Sequence, residues 1–119
     1  DDFGDGIRIG ANTALEDEKD LSKVSCDLVM FRAFTEGFLK GTEGRLTKQE
    51  IELLPLGALM MTYECGIRFL MDYLQGNVYF KVAYPEHNLV RARNQFALVK
   101  DINKKMDEMN QIMVEFEKI

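Results

Sequence analysis

Tryptophan is absent from this chain, histidine occurs once, proline twice, and there are only two cysteines, Cys26 and Cys65. Two thiols at unrelated positions make no disulfide framework. Together with a lone His87 they make no zinc set either, and they fit a reducing compartment. No run approaches 18 uncharged apolar residues, and no basic stretch leads into an apolar one at the start, which speaks against a membrane span and a secretory signal. A large excess of basic charge is also missing. The first 20 residues hold seven acids and two bases and carry the whole net charge of -5, while the other 99 balance. That distribution speaks against a nucleic-acid partner. A cytoplasmic location without membrane or nucleic-acid partners is the expectation. What is present is apolar material, 46% of 119 residues. Scaling of surface with mass gives roughly 6,600 Å² folded against roughly 19,900 Å² unfolded, so one domain can bury about two thirds of its surface.

The pattern along the chain predicts an all-α fold with three or four substantial helices and no sheet. Gly4, Gly6 and Gly10 argue against a regular element over most of the first ten residues, beyond a short turn. The segment ALEDEKDLSKVS reads as surface loop. Leu28, Phe31, Phe34, Phe38 and Leu39 recur at helical spacing, with Ser25 or Asp27 as cap and Gly41 as stop, which predicts a helix over about 27–40. Thr47 and Glu50 form a capping box that starts a helix at Lys48. Pro55 then either separates a short helix from a second one over 55–75 or kinks one long helix. In that stretch Leu56, Leu59, Met60, Tyr63, Ile67, Leu70, Met71 and Leu74 form a broad stripe, read as buried against more than one neighbour. Gly76 ends it and an irregular NVYFKVAYPEHN follows. Asn88 is placed as the cap of a final helix of about thirty residues, with Leu89, Ala92, Phe96, Val99, Ile102, Met106, Met109, Met113 and Phe116 on its apolar side. The organisation is one unit over 1–119, an acidic junction segment over 1–24 and a helical core over 25–119.

Few residues carry chemistry on their own terms. Asp2-Phe3-Gly4 looks like the metal-binding triplet of kinases, but it lacks a nucleotide lobe and a catalytic loop before it and reads as a structural carboxylate. No P-loop lysine accompanies the glycines. His87 reads as a surface or capping group. Arg68 can bridge Glu64 and Asp72 along its helix, or it can turn its planar donors to a ligand in a cleft. Tyr79, beyond the helix end, is either a core plug or a flat wall for a sugar or base. Arg91 and Arg93 stand at the wrong end of their helix dipole and are expected to answer to acids elsewhere. Met60, Met61, Met106, Met109 and Met113 are read as core filler. No catalytic or metal-ligating residue is assigned.

Two segments, DFGDGIRIGANTALEDEKDLSKVSCDL and GIRFLMDYLQGNVYFKVAYPEHNLVRARNQFALVK, resemble the C-terminal part of the aminoglycoside/choline-type phosphotransferases. The resemblance covers nearly the whole chain and is strongest to the N-acetylhexosamine 1-kinase-like group. Some members of that group carry a mucin-desulfatase label that the kinase-like fold does not support, and VSCDL and YECGI do not resemble a sulfatase nucleophile motif. The resemblance implies the helical C-terminal portion of a protein-kinase-like large lobe, without the nucleotide-binding lobe. The parent enzyme would move the γ-phosphate of ATP, with Mg²⁺, to the anomeric hydroxyl of an N-acetylated hexose. Arg68 and Tyr79 resemble residues that line the sugar pocket in that group. Asp2 would brace the catalytic-loop backbone, and Asp5 and Arg8 would hold that junction. The catalytic base and metal acids would lie upstream, so the chain alone is expected to be inactive and to bind neither ATP nor Mg²⁺ tightly. Its partners would be the sugar and the upstream segments of the same enzyme, with a homo-oligomer as a further expectation and the long last helix as its swapping element. The alternative is a free-standing helical interaction module.

Overall fold

The computed structural model describes residues 2–117 and is all-helical, with no strand among them. Six α-helices follow in order: α1 (Asp2–Gly10), α2 (Leu28–Gly41), α3 (Lys48–Glu52), α4 (Leu54–Leu74), α5 (His87–Lys104) and α6 (Met106–Glu117). A single 3₁₀ turn, Leu21–Lys23, interrupts the acidic segment. Helix α4 is the central element and lies against both α5 and α1.

Local chemistry accounts for most boundaries. The Asp27 carboxylate accepts from the amides of Val29 and Met30, which starts α2. Thr47 and Glu50 close the expected capping box on α3. Pro55 sits in the first turn of α4, where its missing donor leaves nothing unmade, so α3 and α4 are separate helices.

The first correction concerns α1. Its glycines do not break the helix; they let it come close to its neighbours. A Cβ on Gly4 would stand 2.8 Å from the Met61 Cβ, and one on Gly6 would stand 2.0 Å from Phe34 Cζ. That approach buries Phe3 and Ile7, one turn apart, and sets Phe3 edge-on to Phe31 and Phe38 at centroid distances of 6.3 and 5.0 Å. Tertiary packing therefore outweighs a helix propensity deficit of about 1 kcal/mol per glycine.

A second correction concerns the face of α4. Its buried residues are Pro55, Ala58, Thr62, Gly66, Phe69 and Asp72, whereas Leu56, Met60, Tyr63, Met71 and Leu74 of the expected core stripe are exposed. Small side chains at 58, 62 and 66 permit close helix contact; a Cβ on Gly66 would lie 2.6 Å from the Phe96 ring. Met60 is therefore not core filler, although Met109 and Met113 are fully buried.

The last helix is divided. Helix α5 ends at Lys104 and α6 starts at Met106; Lys105 lies between them, its amide still donating to the Asp101 carbonyl and its carbonyl accepting from the Met109 amide, each at 3.0 Å. The Lys105 Nζ donates to the Cys26 carbonyl at 2.7 Å and pairs with Asp101, which accepts from the Cys26 amide at 2.6 Å. The break thus falls where two helix side chains satisfy both backbone groups of a buried loop residue. Helix α5 also begins at His87 without a side-chain cap, and Asn88 lies inside the helix with its side chain turned inward.

Candidate functional site

The sequence between α4 and α5 must reverse direction, and it does so through Gly76 (φ 93°) and Asn77 (φ 61°), both left-handed. This turn folds the following backbone over the Asp72 carboxylate. Asp72 accepts from the amides of Val78, Tyr79 and Phe80 at 2.9, 2.7 and 2.9 Å and from Asn88 Nδ2 at 2.8 Å. Burial pushes this carboxyl up, but the four hydrogen bonds outweigh it and hold the group below its ordinary range. The Asn88 side-chain oxygen Oδ1 in turn accepts from Arg91 at 2.8 Å, and Arg91 also donates to the Lys81 backbone carbonyl and lies over the Phe69 ring. Arg91 is therefore paired with neutral oxygens and an aromatic face rather than with the acids expected of it.

This frame brings together the two residues singled out for sugar binding. The Arg68 guanidinium lies 5.8 Å from the centroids of both Tyr79 and Phe80, which are themselves edge-on at 4.9 Å. Arg68 forms no ion pair with Glu64 or Asp72, so the intrahelical network read from the spacing is absent and Asp72 is engaged by backbone instead. Tyr79 is 74% exposed, with no hydrogen bond on its hydroxyl among the described residues. The corner therefore offers planar cationic donors, a flat apolar face and a phenol to solvent, a set suited to a polyhydroxylated ring.

A second cluster gathers on α1. Arg8 donates to Asp5 at 3.0 Å, pairs closely with Glu16 and reaches Gln95 Oε1 at 3.3 Å. Burial lowers the Arg8 pKa, and its hydrogen bonds with Glu16 and Asp5 more than restore it, leaving it raised. Asp2 opens α1 in an exposed position. Cys65 lies within electrostatic reach of both Arg8 and Arg68; burial nevertheless pushes its thiol up. Both cysteines are free.

The sequence reading missed the polar residues that fasten the acidic segment. His87 is buried, not a surface group. Its Nδ1 accepts from the Ala83 amide at 3.1 Å, which leaves the ring proton on Nε2 facing Asp17 at 3.0 Å. The ring stacks on Tyr84 at 4.7 Å, and Lys19 covers the Tyr84 ring. Asn94, fully buried, donates to the carbonyls of Leu15 and Glu18 and accepts from Asn12 and Gln95. The available signal was the run of polar residues at 88, 94 and 95 among the apolar positions of α5.

Among the described residues no group of three or more His, Cys, Asp and Glu side chains could hold a metal ion, and no helix is long and apolar enough to cross a membrane. The chain matches no model of a known protein family.

Proposed function

We propose that this chain forms the acceptor-side helical portion of an ATP-dependent phosphotransferase acting on the anomeric hydroxyl of an N-acetylated hexose. The observation that carries this reading is the meeting of Arg68 and Tyr79 at one exposed corner, with the Tyr79 backbone fixed by Asp72. A fixed aromatic face and open guanidinium donors orient a ring at little entropic cost. Under this proposal Asp5 and Arg8 anchor the segment leaving the catalytic centre, Asp2 braces the catalytic-loop backbone, and the catalytic base, ATP and Mg²⁺ belong to the rest of the enzyme. Under the same proposal the chain's own part is binding and orientation, and it is inactive alone.

The test is a titration followed by NMR. N-acetylglucosamine and N-acetylgalactosamine are expected to shift the Arg68 Nε and Tyr79 amide signals in the millimolar range, with glucose shifting them less. Equal response to glucose, or none at saturating sugar, refutes the sugar site. Phosphorylation of either sugar by this chain with ATP and Mg²⁺ refutes the claim that it is inactive alone. A second reading, a helical interaction module, rests on the apolar outer face of α4.

A further inference from the structure

From Leu53 to Leu74 the residues Leu53, Leu56, Met60, Tyr63, Ile67, Leu70 and Leu74 are spaced alternately three and four apart, the period that keeps one seam of a helix facing a partner. Among the described residues this seam is only partly covered: Ile67 and Leu70 are half-buried, and the Tyr63 ring lies 6.1 Å from that of Phe96. Leu53, Leu56, Met60 and Tyr63 are each about half exposed, and Leu74 is 73% exposed. The seam is about 31 Å long at 1.5 Å per residue, and it stands as a ridge between two shallow grooves. One groove is lined by Leu59, Phe96 and Val99, the other by Gly57, Met61 and Ile67, and Met60 and Tyr63 border both. Polar interruptions are confined to the rims, at Glu64 and Arg68 on one side and Lys100 and Asn103 on the other.

We infer that this face associates with a second copy of the chain through α4. The exposed parts of Leu53, Leu56, Met60, Tyr63 and Leu74 amount to roughly 600 Å² per copy, or about 1,200 Å² between two when all of it is covered, the lower end of what stable interfaces bury. A monomer rarely keeps so large a contiguous apolar patch open. The molecular surface of 7326 Å² is also about a tenth above the roughly 6,600 Å² that mass alone predicts, so the chain is more open than a closed monomer of its size. The ridge between grooves makes the face self-complementary: the Met60–Tyr63 ridge of one copy fits a groove of the other, the geometry by which helices pack. An isologous contact of this kind closes on two copies. The inference does not rest on the sugar reading: Leu53, Leu56, Met60 and Tyr63 carry it, and Arg68 only borders one of the grooves.

Sedimentation equilibrium of the 119-residue chain tests it. The wild type is expected to be a dimer at tens of micromolar, and Met60→Asp or Tyr63→Asp to raise the dissociation constant roughly tenfold or more at unchanged helical circular dichroism. Val29→Asp, an exposed apolar residue on α2, is the control and should leave the dimer intact. A wild type that stays monomeric, its face then open to some other protein, overturns the inference. So does a dimer that survives both α4 substitutions. Should those variants lose helicity, hydroxyl-radical labelling of the wild type decides: labelling of Met60 and Tyr63 must fall as protein concentration rises, and unchanged labelling refutes the contact.

Discussion

Replacing Gly4 by alanine sets two effects of opposite sign against each other. In a helix interior alanine is favoured over glycine by about 1 kcal/mol, so propensity alone predicts stabilisation. At Gly4, however, the new Cβ would stand 2.8 Å from the Met61 Cβ, 3.2 Å from its Cγ and 3.3 Å from the Gly57 carbonyl oxygen. A Cβ and a backbone oxygen cannot rotate away as a side-chain tip can, so α1 must back off from α4. Overpacking of this kind typically destabilises by about 1–3 kcal/mol, and the retreat also loosens Phe3 and Ile7, which are fully buried. Packing wins, and the net expectation is a loss of about 1–2 kcal/mol, or roughly 4–8 °C in Tm. Gly37, within α2 with nothing within 4 Å of its added Cβ, supplies the contrast. Gly37→Ala should stabilise by about 0.5–1 kcal/mol, because only propensity acts there. Thermal unfolding of both variants by circular dichroism checks the pair. A Gly4→Ala protein that gains as much as Gly37→Ala would show that α1 does not depend on close approach to α4.

Asn94→Ala removes four hydrogen bonds at a fully buried site and should cost about 2 kcal/mol or more in urea unfolding, with faster amide exchange over 12–20. Asp72→Asn should loosen the turn after α4. The amides of Val78, Tyr79 and Phe80 are expected to exchange faster, and sugar-induced shifts at Tyr79 to weaken, whereas α6 amides stay unchanged. Burial pushes the Cys26 thiol up from about 9 to about 11. The folded chain therefore keeps this proton after the unfolded chain has lost it, and stability should fall as pH rises from about 9 to 11. A Cys26→Ala variant, compared by denaturant midpoints across that window, should lack this part of the decline.

What was legible in the sequence follows from how local each cause is. The Thr47–Glu50 box appears as read, and Asp27 as cap and a separate helix at Pro55 are each one of the two alternatives the sequence left open; all three are set by residues within one turn of each other. The failures share a different cause. On α4 the large apolar residues predict the core face, yet the buried face runs over Ala58, Thr62 and Gly66, because close helix approach favours small side chains. The same logic hides α1, whose glycines read as breakers in the sequence although Met61 and Phe34 lie against them in the fold. It also hides His87, Asn88 and Asn94, polar residues that belong inside because their partners, Ala83, Asp72 and the carbonyls of Leu15 and Glu18, arrive from other segments. Of the candidate site, the chemistry of Arg68 and Tyr79 was readable from their types and from a family resemblance, but their proximity depends on the Gly76–Asn77 turn and on Asp72 capturing three amides. Hydrophobic periodicity locates a helix and its apolar seam; residue size decides which face its own chain covers. The large-residue seam of α4, left outside by its small-residue face, is for that reason the surface on which a second molecule has most to gain.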